Sequence, residues 1–258
     1  MIQAWETIAD AYQDRYQLVP DEIHLGPMCP NAAELGLVPS ISGRRVLEVG
    51  CGGGQNIVFC ALRGASRAIG VDPASAQLGH ARRLAETRGA RVELFQMGAE
   101  QVGELGASFD LVLSVYALMY VADIERAMEQ IASTLVTGGE IVLAVDHPMR
   151  LSGAWDEQDR FVVGHYFDVG WESWNYDFPE HGIRTEMHRF RRTVSDWVNV
   201  MIGAGLELRG LHEPRPPEGR EDRFGVVSKY GARDRRNVFS REKLERVPGT
   251  LILHGARR

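Results

Sequence analysis

The residues able to do chemistry gather around one short stretch. Residues 45–54 read Arg-Val-Leu-Glu-Val-Gly-Cys-Gly-Gly-Gly, and residues 69–73 read Ile-Gly-Val-Asp-Pro. An apolar run carrying Glu48 opens into a glycine burst, with Gly50, Gly52 and Gly54 spaced by Cys51 and Gly53. About twenty residues later a second apolar run ends at Asp72, the spacing of a strand, a tight loop, a helix and a second strand. Glycines let the backbone approach a ligand where a Cβ would clash. A carboxylate after the second strand accepts two donors at once, which suits a ribose diol. Pro73 occupies a favoured first helical position, so Asp72 is equally placed to cap the helix that follows.

The spacing also excludes ligands. Counted from Gly50, the sixth position is Gln55, so the G-x-G-x-x-G/A dinucleotide fingerprint fails. No Gly-Lys-Ser/Thr follows, which excludes a P-loop. Glu48 would repel a diphosphate, whereas a cationic sulfonium cofactor with an amino-acid tail would accept it.

Five segments in order, RVLEVGCGGG, GVDPASAQLGHAR, SFDLVLSVYALMYV, TLVTGGEIVLAVDHP and TLILHGAR, resemble a class I S-adenosylmethionine-dependent methyltransferase. The resemblance is to the bacterial small-molecule group related to ubiquinone-biosynthesis methyltransferases, and it runs from the N-terminal helix to the last strand. It implies S-adenosylmethionine as methyl donor and S-adenosylhomocysteine as product. Glu48 would stand near the methionine amino group, with Gly50, Cys51, Gly52 and Gly54 as the loop and Asp72 and Pro73 at the ribose. Tyr12 and Ser114 complete that cofactor set. Many relatives place an aspartate, which meets the adenine amino group, where this chain has Gly98. That contact would have to come from the backbone near Ala99, or from Glu100 or Gln101.

Methyl transfer to a hydroxyl or amine releases a proton. His147, in Asp146-His147-Pro148 at the end of a predicted strand, is the first candidate base, since histidine titrates near neutral pH. A structural histidine positioned by Pro148 is the plain alternative. Tyr116 and Tyr16 are further catalytic candidates, and in-line alignment alone supplies much of such a rate. Acceptor-binding candidates are His24, Tyr120, Trp155, Tyr166, Trp171 and Trp174. His165, His181 and His188 share no metal-ligand spacing, so no metal site is expected.

These residues need a scaffold of alternating elements. Periodicity predicts strands at Arg45–Val49, Ala68–Val71, Val92–Gln96, Asp110–Ser114, Glu140–Val145, Glu207–Leu211 and Thr250–His254. Helices are predicted at Ala4–Gln17, Asn31–Leu37, Asn56–Arg63, Ala74–Arg88, Ile124–Leu135 and Val194–Ala204, with Gly138 and Gly139 stopping the fifth. The alternation gives an α/β, Rossmann-like sheet with helices on both faces and ligands beyond the carboxyl ends of the strands. The resemblance adds a seven-stranded order, 3-2-1-4-5-7-6, with an antiparallel last strand. The expected division is one domain: a cap (1–40), a cofactor-binding core (41–150), an aromatic substrate lid (151–190), and the rest of the sheet (191–258) with an inserted loop (214–248). The lid holds nine of the chain's 21 aromatics.

Composition bounds the rest. The 258 residues are 44% hydrophobic, enough for a packed core. No apolar run approaches the ~20 residues of a membrane span, and Met1–Asp10 is amphipathic and acidic, unlike a leader. Cys29, Cys51 and Cys60 are odd in number and fit a reduced cytoplasm. The net charge of −6 disfavours nucleic acid as a general partner. Yet residues 214–248 set ten Arg or Lys against six acids, so an RNA base methyltransferase is the same-fold rival, and a cofactor-binding cyclase or sensor the rival from another class. Only two basic residues are lysine against 27 arginines, the bias of a GC-rich genome. With the aromatic lid it points to a small secondary-metabolite acceptor, handled by a monomer or homodimer.

Overall fold

The computed structural model describes residues 1–16, 18–218 and 239–258. Strand β1 (Arg45–Val49) lies inside a seven-stranded sheet, third from one edge, and is buried from Val46 to Val49. A strand covered by helices on both faces reads as a continuous apolar run rather than an alternating one. The same holds for β2 (Arg67–Asp72), β4 (Phe109–Val115) and the second half of β5 (Leu135–Asp146). With β3 (Glu93–Gln96), β10 (Leu206–His212) and β11 (Thr250–Arg257), the order is β3-β2-β1-β4-β5-β11-β10. Strands β1 to β5 are parallel, and β11 runs antiparallel between β5 and β10. This is the order the resemblance implied.

Helices α1 (Ile2–Tyr16), α2 (Gln55–Leu62), α3 (Ser75–Arg88), α4 (Ile124–Thr134) and α6 (Val194–Gly203) dress the sheet, with short α5 (Pro148–Leu151) and α7 (Arg241–Leu244). Alternate side chains of a strand face opposite ways, so two cores form. Leu47 and Val49 share one with Ala127, Met128 and Ile131 of α4 and Trp197 of α6. Val46 shares the other with Ile57 of α2, Leu78 of α3 and residues 23–41. The apolar face of α4 falls at helical spacing behind an Asp123 cap that accepts from Arg126 N at 3.1 Å.

Three expectations change. Residues 31–37 form turns: Asn31 and Glu34 cap one another's backbone N–H, but Gly36 and Pro39 follow too closely for a helix. Gly138 and Gly139 do not stop α4, which ends at Thr134. They lie inside β5, where its register against β4 shifts, and a Cβ on Gly139 would stand 2.9 Å from Phe109 O. The glycines therefore permit a bulge.

The aromatic stretch is the third. Residues 151–190 hold two hairpins, β6 (Gly153–Trp155) with β7 (Phe161–Val163), and β8 (Gly170–Phe178) with β9 (Ile183–Arg191). Only the second roofs the sheet, and it does so jointly with α1. Ile8 and Ala11 bury against Phe178 and Met187. Tyr16 and Tyr176 meet hydroxyl to hydroxyl at 2.6 Å, His181 meets Asp14 at 3.1 Å, and Arg15 pairs with Glu180. Arg192 ties the end of this hairpin to the core by donating to Val121 O and Ala122 O, and burial pulls its pKa down to about 10. The first hairpin meets residues near α7, where Arg246 stacks on Trp155 and pairs with Asp159. Of the basic loop, residues 219–238 lie outside the described residues. No helix among the described residues is long and apolar enough to cross a membrane.

Gly54 sits at φ +81°, and an added Cβ would be 2.7 Å from Ala81 Cβ, so it sets how closely α2 and α3 pack. Gly54→Ala should lower the unfolding free energy by about 1–3 kcal/mol in urea titration, from left-handed strain plus overpacking. An unchanged midpoint would refute that packing role.

Candidate functional site

A cleft of about 1170 Å³ opens beyond the carboxyl ends of β1, β2, β4 and β5. Its floor is the turn after β1. Gly50 N and Cys51 N donate to Val71 O at 2.8 and 2.9 Å, which pins the loop to β2. Gly50 takes φ +73°, and a Cβ there would overlap Ala117 Cβ at 2.1 Å, so only glycine fits.

Two buried carboxylates face this cleft. Glu48 is 3% exposed; its Oε2 accepts from Ile57 N at 3.0 Å and its Oε1 from Asn56 Nδ2 at 3.1 Å. Asp72 is 9% exposed; Oδ2 accepts from Gly52 N and Oδ1 from Ala74 N, both at 2.9 Å. The capping and ribose roles of Asp72 are thus compatible, because each oxygen keeps a second lone pair. Among the described residues no cationic side chain pairs with either acid. Burial accordingly pushes Glu48 up to about 8, with the Asp72 charge adding to it, and raises Asp72 as well. Such a pair fits a ligand that brings positive charge and donors. The acids, the open glycine turn and the volume together fit S-adenosylmethionine.

The turn after β3 enters the cleft through Met97, Gly98, Ala99 and Glu100. A Cβ on Gly98 would be 3.1 Å from Glu100 Oε2, so the Glu100 carboxylate occupies the space that a side chain at 98 would enter. At the end of β4, Tyr116 is held at φ +53°, a strained conformation for a tyrosine. Its hydroxyl meets Thr250 Oγ1 at 2.8 Å, and its ring fills the space beside Gly26. Burial raises this hydroxyl well above its usual pKa, so it stays protonated.

Of the residues expected at the site, the structure brings Tyr12, Tyr16, His24, Glu48, Gly50, Cys51, Gly52, Asp72, Pro73, Ala99, Glu100, Tyr116, Tyr120, Trp171 and Trp174 to the cleft. Five stand elsewhere. Gly54 packs against α3, and Ser114 Oγ donates to Val49 O within the sheet. Trp155 lies on Phe161 and Arg246, and the Tyr166 hydroxyl accepts from Val194 N at the start of α6. Trp155 and Tyr166 belong to the part of the aromatic stretch that does not roof the sheet. His147 is 2% exposed and does not line the cleft. Its Nδ1 accepts from Met149 N at 3.0 Å, capping α5, which leaves the proton on Nε2 to be donated to Glu213 Oε1 at 2.7 Å. The base role expected of it gives way to capping.

Residues not singled out from the sequence also line the site. Asn56 joins Glu48 to His24 O, and Gln13 of α1 lies over the glycine turn, donating to Gln77 Oε1 and accepting from Gln55 Nε2. Asn56, in the first turn after the glycines, was visible as a short polar residue on an apolar helix. Asp146, Arg150 and Arg189 form a third group, with Asp146 accepting from both arginines. Asp146 was legible as a strand end; Arg189 depends on how the second hairpin folds back.

Residues 46–139 match the model of a methyltransferase domain. A ubiquinone biosynthesis O-methyltransferase of Rhizobium etli is 38% identical over 104 residues, 40% of this chain and 42% of that protein. The chain thus spans about two fifths of such relatives. An uncharacterized protein of Haemophilus influenzae is 24% identical over 80% of this chain and 84% of its own length. The crystal structure of an S-adenosylmethionine dependent methyltransferase from Mesorhizobium loti superposes with a TM-score of 0.65 at 23% identity, covering 87% of this chain and 96% of that one. Residues 46–139 thus carry a methyltransferase-domain match, the chain shares the fold of S-adenosylmethionine dependent methyltransferases, and the buried acids of the cleft fit S-adenosylmethionine.

Two outcomes follow from the electrostatics. Unfolded Glu48 ionises near 4.5, whereas the folded group holds its proton to about 8. The folded state therefore binds more protons between those values, and this residue's contribution to stability falls as pH rises through that window. Glu48→Gln should flatten that part of the stability profile; an unaltered slope would contradict the burial account. His147→Asn keeps a cap acceptor, so turnover should stay within about threefold of wild type. A hundredfold fall in kcat at unchanged stability would restore His147 as the base.

Proposed function

We propose that the protein transfers the methyl group of S-adenosylmethionine to an oxygen or nitrogen of a small organic acceptor bound beneath α1 and the β8–β9 hairpin. The observation that carries this reading is the pair of buried acids, Glu48 and Asp72, side by side in the cleft with no cationic side chain among the described residues paired to either. Asp72 accepts the ribose hydroxyls through its remaining lone pairs. Glu48 accepts the ammonium of the methionine tail. Glu100, standing over Gly98, accepts from the adenine amino group. The name of the Rhizobium relatives favours oxygen as the receiving atom. The ring-lined walls favour an aromatic secondary metabolite.

When bound, S-adenosylmethionine supplies an electrophilic methyl carbon with a neutral thioether as leaving group. The chain's own contribution is alignment and exclusion of water. Trp5, Tyr12, Tyr16, Tyr120, Trp174 and Tyr176 wall the space with rings, Trp5 packing edge-on to Tyr12 and Tyr120. A reactant confined there in line with its partner gains several kcal/mol, on the order of 7–11 at best. His147 is turned away from the cleft, whereas His24 lines it and donates through Nε2 to Val19 O at 2.8 Å, which leaves Nδ1 as the basic nitrogen of that ring. Two pairs of hydroxyls are engaged with one another, Tyr116 with Thr250 and Tyr16 with Tyr176. An acceptor that arrives ionised or intrinsically nucleophilic needs only to be held in register.

Asp72→Ala should weaken S-adenosylhomocysteine binding at least tenfold by calorimetry, since charge-assisted bonds to two hydroxyls are lost. Unchanged affinity would refute the ribose assignment.

A further inference from the structure

The cleft is polarised along its length. The cofactor half carries three acids, Glu48, Asp72 and Glu100. The half under the roof carries Arg15, Arg150 and Arg189 against Asp146 and Asp177. Arg15 is spent at the rim on Glu180 and on the Phe178 ring.

Arg150 and Arg189 are different. Their side chains are only 11% and 14% exposed, and they share one acid, Asp146, itself 6% exposed, with Arg150 on Oδ1 and Arg189 on Oδ2 at 3.0 Å. Arg189 also gives Nε to Glu172 at 2.7 Å, from outside the cleft lining. Arg150 Nε is buried and donates to no acceptor among the described residues. Among those residues Arg189 donates only through Nε and Nη1. Asp146 is thus shared by two guanidinium groups on the cleft wall, with Glu172 as a second partner of Arg189, and each arginine keeps donors to spare. An arginine fork matches a carboxylate in shape, and enclosure strengthens the pairing.

The adjoining walls are flat. Arg189 lies 4.7 Å above the Trp174 ring, and Trp174 faces Tyr120 with centroids 6.4 Å apart and planes 29° apart. Such surfaces bury a planar ring well.

Resting on the methyl-transfer reading of this cleft, we propose that the acceptor is a planar carboxylic acid. Its carboxylate docks on Arg150 and Arg189, and its ring lies along Tyr120 and Trp174. The acid anchors one end of the acceptor far from Glu48 and Asp72. The nucleophile at the other end then points toward the cofactor half, so the arginines set both selectivity and orientation. The opposite preference, for an amine, would set a cation against the two arginines.

The test is calorimetry on the full chain saturated with S-adenosylhomocysteine. The probes are benzoate, 4-hydroxybenzoate, 4-hydroxyphenylacetate and indole-3-acetate, each beside its neutral primary amide, with benzylamine as the cation. At least one acid should bind tenfold or more tightly than its amide. Arg150→Gln and Arg189→Gln should each reduce that preference to less than threefold, while S-adenosylhomocysteine affinity moves by less than threefold. Acids that bind no better than their amides, or not at all, overturn the proposal, as does tighter binding of benzylamine or a preference that survives both substitutions. Should either variant fail to fold, the comparison of acid with amide on the wild-type chain decides alone. Absence of S-adenosylhomocysteine binding would sink the methyl-transfer reading itself. Its presence without acid selectivity sinks only this inference.

Discussion

A pair of acids buried at the carboxyl edge of the sheet, with Glu48 holding its proton up to about 8, is the constraint on which the rest of this structure depends. Glu48 and Asp72 are both withdrawn from water, and each is tolerated because backbone N–H groups point at it: Ile57 N for one, Gly52 N and Ala74 N for the other. A buried carboxylate without such donors would cost several kcal/mol. The glycine turn has to fold back far enough for Gly52 N to reach Asp72, which calls for left-handed backbone at Gly50 and Gly52. Helix α2 has to begin where Ile57 N and Asn56 meet Glu48. The helix start and the turn are placed by two acids that the sheet alone would expel, and what remains unneutralised is a demand for a cation.

The roof answers the same constraint from above. Glu6 of α1 accepts from Ala76 N at 2.9 Å and also from Ser75 N, so α1 is tied to the first turn of α3, just beyond Asp72. Gln13 ties it to the glycine turn, and Tyr16 ties it to the β8–β9 hairpin. One helix therefore spans the acidic half of the cleft and the arginine half. Closing over both, it fixes the distance between whatever satisfies Glu48 and Asp72 and whatever satisfies Arg150 and Arg189. Strain at Tyr116, held at φ +53° between Gly26 and Thr250, lies at the seam between the two halves.

The alternation of strands and helices and the glycine turn were legible in the sequence because they rest on short-range signals, whereas the sheet order came with the resemblance. Apolar runs, glycines and terminal carboxylates recur there at fixed spacing. The cleft residues Glu48, Gly50 and Asp72 follow the same local logic. The misreadings came where local pattern and tertiary demand diverge. Gly138 and Gly139 read as a helix stop, but long β5 needs them for a register shift. His147 had the right type and strand-end position, yet Met149 N and Glu213 claim both its ring nitrogens. Trp155 and Tyr166 carried the composition of a lid, but two hairpins divide that stretch and only the second faces the cleft. Asp146 and Arg150 stand four apart, but Arg189 reaches Asp146 from 43 residues away across two sheets, and no spacing rule reveals that contact.

If buried, proton-holding Glu48 is what a cationic ligand relieves, binding must expel that proton. The direct measurement is calorimetric titration of S-adenosylhomocysteine at pH 7 in buffers of differing ionisation enthalpy. Release should lie between about half a proton and one proton per site, from a group that titrates near 8 when the cleft is open, and should vanish in Glu48→Gln. Binding with no net proton release, or with release equal in wild type and Glu48→Gln, would contradict the account.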